Sequence, residues 1–276
     1  MDHTGARRRW PYDAGRPAAK HLAGSSQPSK HRLAIAMKRV FISDLHLDHA
    51  DSEVFQAFAG LLRDESARVD EIYILGDLVE MWIGDDDTSE IALALINALQ
   101  EASKRAALFL LHGNRDFLFG QAFCEQIGAT LLPDPYVLDD ILLSHGDLFC
   151  TDDAAYQDVR QLLRSAEWQS DLLQRSLGER QQFGQQMRAQ SMAANANKSD
   201  QIMDVNLSAI TAAMAEHRTT TLIHGHTHRP GDYPRRGSSA FRRVVLGDWQ
   251  DCGWLCRQDG ASLTLECFNL SRYRAS

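Results

Sequence analysis

The sequence predicts a mixed α/β (α+β) fold, a sandwich of two β-sheets flanked by helices. Three observations support this prediction: strands and helices alternate from Lys38 onward, each short apolar strand ends at polar residues, and strands return in the final third of the chain. Regular alternation of strand and helix favours a parallel sheet with helices on its faces. A helical insertion rich in Gln, Ala, Arg and Leu separates the two strand-bearing parts.

The first half of the chain contains the alternating elements. In chain order we predict a strand at Arg39–Ser43, a helix at Glu53–Ser66, a strand at Glu71–Leu75, a helix from about Thr88 to Lys104, a strand at Ala107–Leu111 and a helix around Gln121–Ile127. Two further apolar stretches, Tyr136–Leu138 and Ile141–Ser144, flank Asp139-Asp140 and predict a hairpin. Parallel and antiparallel strands are therefore both expected.

The final third of the chain contains four more predicted strands, which we expect to complete the second sheet. They lie at Thr220–Ile223, Arg242–Leu246, Gly253–Arg257 and Ser262–Phe268. The chain then divides into a core of residues 38–151 and 218–276, a helical cap, or lid, of residues 152–217, and a tail of residues 1–37. The tail is rich in Arg, Gly, Pro and Ser and is expected to be disordered.

Charge and cysteine usage limit the function classes. Nine of the 29 Lys and Arg but only two of the 37 Asp and Glu lie within residues 1–39, so the remainder is strongly acidic. An acidic body opposes nucleic-acid binding, which needs a basic face, and suits a protein that gathers divalent cations. The five cysteines lack CxxC spacing and fit a reducing cytosol better than a disulfide framework. No stretch approaches the roughly 20 apolar residues of a membrane span.

Five short motifs each follow a predicted strand. They are Asp44-Leu45-His46, Gly76-Asp77, Gly113-Asn114, His145-Gly146-Asp147 and Gly225-His226-Thr227-His228. Their carboxylates, imidazoles and single amide oxygen, with no thiolate among them, are typical ligands of a pair of divalent ions. Imidazoles beside carboxylates favour Mn, Fe, Co or Zn over Ca. The motifs therefore predict a two-metal hydrolase, with phosphate chemistry as the leading hypothesis.

Each motif has an expected part in such a site. Asp44 and His46 lie two residues apart at a strand end, where period-two geometry points both side chains to one side. Asp77 offers two oxygens that can bridge ions about 3.5 to 4 Å apart. Asn114 supplies a neutral oxygen, although Gly-Asn is also common in ordinary turns. Three histidines complete the set from the second sheet: His145, His226 and His228.

The ordered set of motifs resembles the calcineurin-like metallophosphoesterases. Most of that superfamily has GDxxD and GNH, whereas this chain has Gly76-Asp77-Leu78-Val79-Glu80 and Gly113-Asn114-Arg115-Asp116. Arg115 thus replaces the usual catalytic His. The alternative interpretation of Arg115 is a salt bridge to Asp116 or to an acidic neighbour.

From Lys38 to Phe268 the chain resembles more narrowly the UDP-2,3-diacylglucosamine pyrophosphatases of lipid A biosynthesis. This resemblance rests on Arg115 and on stretches such as Trp82–Asp87, Cys150–Asp153 and Ile223–Pro230. It implies hydrolysis of UDP-2,3-diacylglucosamine to 2,3-diacylglucosamine 1-phosphate (lipid X) and UMP, by a hydroxide that two Mn²⁺ ions activate for attack on the alpha phosphorus. Other divalent transition metals are alternatives. It further implies a cytoplasmic protein peripheral on the inner membrane, which we expect to be a monomer.

The resemblance also implies roles for individual residues. One ion would be held by Asp44, His46, Asp77 and His228, and the other by Asp77, Asn114, His145 and His226. The catalytic residues would be Asp77, Asn114 and Arg115. The substrate would be bound by Asn114, Arg115, Asp153, Ser191, Asn195, Lys198 and His226. Around Ser191, Asn195 and Lys198 the family spacing is kept, although Gln190 and Met192 differ from the family pattern.

The insertion is expected to supply a hydrophobic partner for acyl chains, while most of its apolar residues pack on the core. Its arginines either meet anionic headgroups or form a solvated helix face: Arg160, Arg164, Arg175, Arg180 and Arg188. One alternative function is a soluble metallophosphoesterase acting on nucleotides or small phosphodiesters. Another is a scaffold that has lost catalysis, which is disfavoured because every ligand position is filled.

Overall fold

The computed structural model describes residues 37–195, 204–235 and 241–274. Within these residues the strands are β1 (Lys38–Ile42), β2 (Glu71–Ile74), β3 (Ala107–Leu110), β4 (Ala129–Leu131), β5 (Tyr136–Leu138), β6 (Ile141–Ser144), β7 (Thr221–His224), β8 (Gly231–Tyr233), β9 (Arg242–Val245), β10 (Gly253–Asp259) and β11 (Ser262–Phe268). The α-helices are α1 (Glu53–Glu65), α2 (Glu90–Ser103), α3 (Gln121–Ile127), α4 (Ala154–Leu163), α5 (Ala166–Leu173), α6 (Leu177–Asn195) and α7 (Leu207–His217). Of the tail of residues 1–37 that is predicted to be disordered, residues 1–36 lie outside the described residues.

Alternate residues of β1 contact two different cores. Val40 and Ile42 pack in a hydrophobic cluster with Phe58 of α1. Phe41, which lies between them in sequence, packs in a second cluster with Ile223 of β7. Because successive side chains of a strand point to opposite faces, the sheet that contains β1 has helices on one face and the other sheet on its second face.

The two sheets combine parallel and antiparallel strands. The first sheet has the strand order β11-β10-β1-β2-β3-β4, and the second has the order β5-β6-β7-β9-β8. β1, β2 and β3 are parallel, in agreement with the strand–helix alternation of the sequence. β5 and β6 form the predicted antiparallel hairpin. The predicted two-sheet sandwich flanked by helices is therefore confirmed.

The prediction that all the late strands complete the second sheet is wrong for β10 and β11. β10 pairs antiparallel with β1, from Lys38 opposite Asp259 to Phe41 opposite Cys256, and β11 pairs with β10. This hairpin covers the edge of β1 that β2 leaves unpaired, so the backbone groups of a buried strand find partners. The apolar pattern of a strand does not encode which edge it will join.

Capping serines determine where two helices begin. Ser52 Oγ accepts a hydrogen bond from Phe55 N at 3.2 Å, directly before α1. Ser89 Oγ accepts one from Ala92 N at 3.4 Å. Since the N-cap precedes the first helical residue, α2 begins at Glu90 and not at the predicted Thr88.

Helix α7 forms the outer layer on the second sheet. Its Ile210 and Met214 pack with Leu142 of β6 and Leu222 of β7. The layers are therefore helix, sheet, sheet and helix, while α4, α5 and α6 connect β6 to this outer layer. Among the described residues, no helix combines the length and the apolar character that a membrane crossing requires.

The carboxyl ends of the parallel strands position the five motifs. Each of the five motifs begins within three residues of a strand end, after β1, β2, β3, β6 and β7. The carboxyl ends of parallel strands are where ligands bind in such sheets. Backbone bonds join neighbouring loops, from Asp44 N to Gly76 O at 3.1 Å and from Gly225 N to His145 O at 2.9 Å. His226 N donates to the Asp44 carboxylate at 3.0 Å, which connects the loops of the two sheets.

Candidate metal centre

Five of the seven predicted ligands adopt a left-handed backbone conformation. Their φ angles are 56° at Asp44, 50° at His46, 51° at Asp77, 68° at His226 and 53° at His228. The expectation that the first two project from an extended strand is therefore wrong, because β1 ends before them. Non-glycine residues adopt this conformation rarely, and such residues concentrate at functional sites.

The first group of converging side chains comprises Asp44, His46, Asp77 and His228. His46 Nε2 lies 3.2 Å from His228 Nε2, and His228 Nε2 lies 3.5 Å from Asp44 Oδ1. Asp77 Oδ2 lies 3.9 Å from His46 Nε2. Atoms that bind one ion at about 2.1 Å are about 3 to 3.5 Å apart in octahedral or tetrahedral geometry. The spacing of this group is close to that of a metal coordination shell.

The second group adjoins the first through Asp77. Asn114 Oδ1 lies 3.0 Å from His145 Nε2 and 2.9 Å from His226 Nδ1. Asp77 Oδ2, the oxygen that faces His46 in the first group, lies 3.7 Å from His145 Nε2. One carboxylate oxygen thus faces both groups, which is the arrangement expected of a ligand that bridges two ions.

Hydrogen bonds to the carboxylates fix their orientation. Arg115 N donates to Asp77 Oδ1 at 2.8 Å, which leaves Asp77 Oδ2 facing the two groups of imidazoles. Ser43 Oγ donates to Asp44 Oδ2 at 2.5 Å. Carboxylates held in this way need little reorganisation to bind a cation.

Two motif glycines are required because the chain approaches these carboxylates closely. A Cβ at Gly113 would lie 2.1 Å from Asp77 Oδ1, and a Cβ at Gly225 would lie 2.1 Å from Asp44 Oδ2. These separations are far below van der Waals contact, so any side chain would displace the carboxylates. Glycine is therefore needed at both positions so that the two carboxylates keep their places in the site.

Partners on the far side of two imidazoles orient their ligand nitrogens. His145 Nδ1 lies 2.9 Å from Leu75 O, to which it can donate its proton, so that Nε2 faces Asp77 as an acceptor. His46 Nδ1 lies 3.3 Å from Glu80 Oε2. Metal-binding histidines commonly donate a hydrogen bond from the second ring nitrogen to a carbonyl or a carboxylate, as His145 does.

The electrostatics of the site favour cations. Burial lowers the pKa of His145, but the carboxylates of Asp77 and Asp44 outweigh it and raise that pKa to about 9. Burial raises the pKa of Asp44, but the neighbouring His228 and His145 hold it below its usual range. Carboxylates that retain protons on adjacent imidazoles would exchange those protons for divalent ions. The donor types and their spacing fit two such ions.

Comparisons with known proteins agree with this geometry. The model of the calcineurin-like phosphoesterase family matches residues 37–230, which contain all the predicted ligands. Proteins named UDP-2,3-diacylglucosamine hydrolase are similar over most of the chain. The protein of Aromatoleum aromaticum is 44% identical over 231 residues, which are 82% of this chain and 94% of that protein. The protein of Pseudomonas fluorescens is 41% identical over 236 residues, which are 83% and 94% of the two chains.

The chain belongs to the calcineurin-like phosphoesterases and, within them, to the UDP-2,3-diacylglucosamine hydrolases. A third hydrolase of this family, from Cellvibrio japonicus, is 40% identical over 241 residues, 85% of this chain and the full length of that protein. Among solved structures, Vps29 of Chaetomium thermophilum has a TM-score of 0.43 at 13% identity and covers 85% of this chain and 89% of its own. The match to the family model and the similarity to these hydrolases confirm the family resemblance that the motifs indicate.

Arg115, the residue that departs from the superfamily pattern, lies beside the first group of ligands. With His46, His228 and Arg188 it lines a cavity of about 370 Å³. Its Nη1 lies 3.7 Å from Glu80 Oε1. Its buried Nε has no hydrogen-bond acceptor among the described residues. The alternative partner Asp116 instead accepts hydrogen bonds from two backbone amides, at 2.8 and 2.6 Å.

The other predicted substrate residues lie in the helices after β6. Asp153 is the N-cap of α4 and accepts a hydrogen bond from Tyr156 N at 3.1 Å. Ser191 is half-buried on α6. Asn195 ends that helix and its side chain is not described, whereas Lys198 lies outside the described residues. Substrate binding by these four residues stays a prediction.

Sequence reasoning missed a contact between α4 and the metal loops. Tyr156 donates a hydrogen bond to Asp147 Oδ2 at 2.8 Å, and its ring stacks on His226 with 6.0 Å between centroids. Arg160 Nε donates to the same carboxylate oxygen at 2.8 Å. Arg164 Nη2 donates to Gly113 O at 2.9 Å. The sequence feature that could have indicated this contact is Asp147 of the His145-Gly146-Asp147 motif, a carboxylate for which no partner was predicted.

Most arginines of the insertion have intramolecular partners. Besides Arg160 and Arg164, Arg180 is only 3% exposed and donates to Ile83 O at 2.7 Å. Arg188 Nε lies 3.0 Å from Glu80 Oε1. These four side chains therefore bind the protein itself rather than forming a free basic face.

Proposed function

We propose that this chain hydrolyses UDP-2,3-diacylglucosamine to 2,3-diacylglucosamine 1-phosphate and UMP. The observation that supports this most is the convergence of two ligand groups on one oxygen of Asp77. It occurs in a chain whose relatives, at 40% to 44% identity, are named as hydrolases of this substrate. We further propose that this reaction is a step of lipid A biosynthesis.

The proposed cofactor is a pair of Mn²⁺ ions, in keeping with mixed imidazole and carboxylate donors. One ion would be held by Asp44, His46, Asp77 and His228, and the other by Asp77, Asn114, His145 and His226. When bound, such ions supply Lewis-acid activation of water and offset the charge of the phosphates. The protein's own contribution is to hold the ligand atoms in place before the substrate arrives.

Arg115 is proposed to bind the diphosphate. A guanidinium is planar and permanently charged, so it can grip two phosphate oxygens and stabilise charge that develops on them. Protonation by a His is less necessary here, because a sugar phosphate is a leaving group of low pKa. The buried Nε of Arg115, which has no acceptor among the described residues, supports this role.

A second cavity supports the acyl part of the proposal. It has a volume of about 430 Å³, and its wall includes the apolar residues Leu47, Val79, Met81, Ile83 and Ile91. Helix α6 closes it through residues that include Gly184. Both cavities are lined by Glu80 and Arg188, so a diphosphate in the first cavity would place an attached acyl chain near the second.

We assign the cap to α4, α5 and α6, because α7 packs on the second sheet as a layer of the core. The outer surface of this cap is proposed to rest on the cytoplasmic face of the inner membrane. Val159, Leu162 and Leu173 are 43%, 55% and 43% exposed there. Apolar side chains on such a surface can enter the headgroup region of a bilayer. In the proposal the protein is a monomer.

Product analysis tests the proposed function. The purified full chain is incubated with Mn²⁺ and UDP-2,3-diacylglucosamine, and UMP and lipid X are measured by chromatography and mass spectrometry. The proposal expects equimolar UMP and lipid X. A UDP-sugar without acyl chains is the matched control, and its equally fast turnover would favour the alternative of a phosphoesterase for small substrates.

A further inference from the structure

Glu80 uses its two carboxylate oxygens on different partners. It lies three residues after Asp77, and its side chain is 16% exposed. Oε2 lies 3.3 Å from His46 Nδ1. Oε1 lies 3.0 Å from Arg188 Nε and 3.7 Å from Arg115 Nη1. One side chain thus faces a metal ligand, the candidate phosphate-binding cation and a residue of α6.

The contact with His46 bears on metal binding. The Nε2 atom of His46 faces Asp77 and His228, so the imidazole can act as a ligand only if its proton is on Nδ1. Glu80 Oε2 lies 3.3 Å from Nδ1 as an ion-pair contact, and the buried Nδ1 makes no hydrogen bond of good geometry to any residue in the described part of the chain. A carboxylate in this position fixes the tautomer and the ring orientation.

The contacts with the arginines bear on the cavity mouth. Arg115 and Arg188 both line the 370 Å³ cavity together with Glu80. Two guanidinium groups repel each other, and a carboxylate oxygen near both offsets that repulsion. Since Arg188 belongs to α6, the same oxygen also connects this helix to the loop that follows Asp77.

We propose that Glu80 is a positioning residue with two tasks. Through Oε2 it orients His46 for metal binding, and through Oε1 it holds both arginines at the cavity mouth and ties α6 to the metal centre. The benefit of holding the arginines rests on the proposed function, because only an anionic substrate would use it. The effects on metal affinity and on α6 do not involve the substrate.

The test compares Glu80→Gln with three other variants of the full chain. Arg188→Ala removes the α6 contact of Glu80 and leaves His46 untouched. Asp86→Asn weakens another link between α6 and the core, the ion pair of Asp86 with Arg180. Glu125→Gln makes the same chemical change at an exposed position of α3. Mn²⁺ affinity is measured by calorimetry without substrate, and α6 is followed by amide hydrogen exchange.

The proposal expects Glu80→Gln to weaken Mn²⁺ binding by about 10- to 100-fold and to speed exchange in α6. Arg188→Ala and Asp86→Asn are expected to speed that exchange while Mn²⁺ affinity stays within about twofold of the parent. Glu125→Gln is expected to change neither. Parent-like Mn²⁺ affinity in Glu80→Gln overturns the first task, and parent-like exchange in α6 overturns the second.

A replacement variant and the activity of the parent protein separate the role of Glu80 from misfolding and from the proposed substrate. Should Glu80→Gln fail to fold by circular dichroism, Glu80→Asp replaces it, because the shorter side chain keeps the charge but cannot reach both His46 and Arg188. It is then judged by the same two outcomes. If the metal and exchange results hold while the parent protein fails to cleave UDP-2,3-diacylglucosamine, the proposed substrate is wrong and the role of Glu80 stands.

Discussion

Arg115→Ala isolates the contribution of one guanidinium to the reaction. The backbone amide of this residue donates to Asp77 Oδ1 at 2.8 Å, and that bond survives the substitution. The side chain faces Glu80 at 3.7 Å, and Glu80 keeps its contacts with His46 and Arg188. The variant therefore loses a cation at the cavity mouth but no metal ligand.

The expected loss follows from the bonds that the guanidinium would make. A hydrogen bond to a charged group contributes about 1.5 to 3 kcal/mol. Two such bonds from one planar fork to a phosphate, taken at the lower end because the cavity is open to water, contribute about 3 to 4 kcal/mol. At about 1.36 kcal/mol per tenfold change in rate, turnover should fall by about 100- to 1000-fold. Arg115→Lys keeps the charge without the fork and should recover only part of this loss.

The assay is UMP release at saturating Mn²⁺, combined with metal analysis of the dialysed protein. We expect the parent, Arg115→Ala and Arg115→Lys to bind equal amounts of metal. Loss of metal in Arg115→Ala would show that the side chain maintains the site instead of binding phosphate. Turnover within about threefold of the parent would refute the energetic argument.

Three other substitutions test different parts of the account. Asp77→Ala should abolish metal binding and hydrolysis together, and a fully active variant in complementation would favour the scaffold alternative. Gly113→Ala should lower Mn²⁺ affinity in a folded protein, since its Cβ would lie 2.1 Å from Asp77 Oδ1; unchanged affinity by calorimetry would contradict the packing argument. Glu65→Gln should lower the free energy of unfolding at pH 7 by about 3 kcal/mol, because it removes the charge of a buried carboxylate that is paired with a cation. Arg257 Nη1 donates to Glu65 Oε2 at 2.8 Å, and the Tyr273 hydroxyl donates to Oε1 at 2.7 Å. Burial raises the pKa of Glu65, but Arg257 and Tyr273 outweigh it and hold that pKa below its ordinary value. The stabilisation is therefore present above the pKa of an unfolded-state Glu and is lost as pH falls through the folded pKa. A urea-unfolding difference as large at pH 3 as at pH 7 would contradict this.

The fold was predictable where local pattern determines structure. The strand–helix alternation gave β1 to β3 as parallel strands, and Asp139-Asp140 marked the β5–β6 hairpin. Strands β4 and β8 have three residues each and, unlike the equally short β5, are not joined to a partner strand by a two-residue turn that would reveal them. The placement of β10 against β1 depends on which sheet edge is open, and that is a property of the assembled sheet.

The site was predictable as a set of residues but not as a geometry. The motifs named the side chains that converge on Asp77, yet Asp44 and His46 reach it through left-handed turns and not through strand alternation. Glu80 was visible only as a departure from GDxxD, because its partners Arg115 and Arg188 are distant in sequence. Contacts of this kind depend on tertiary packing, which spacing along the chain does not report.

The most direct test of the central claim is hydrolysis of UDP-2,3-diacylglucosamine by the Mn²⁺-loaded protein in ¹⁸O-labelled water. Mass spectrometry of the two products shows which phosphorus receives the oxygen of water. The account predicts one labelled oxygen in UMP and none in 2,3-diacylglucosamine 1-phosphate. Label in the sugar phosphate would contradict attack on the alpha phosphorus, and absence of both products would contradict the proposed function itself.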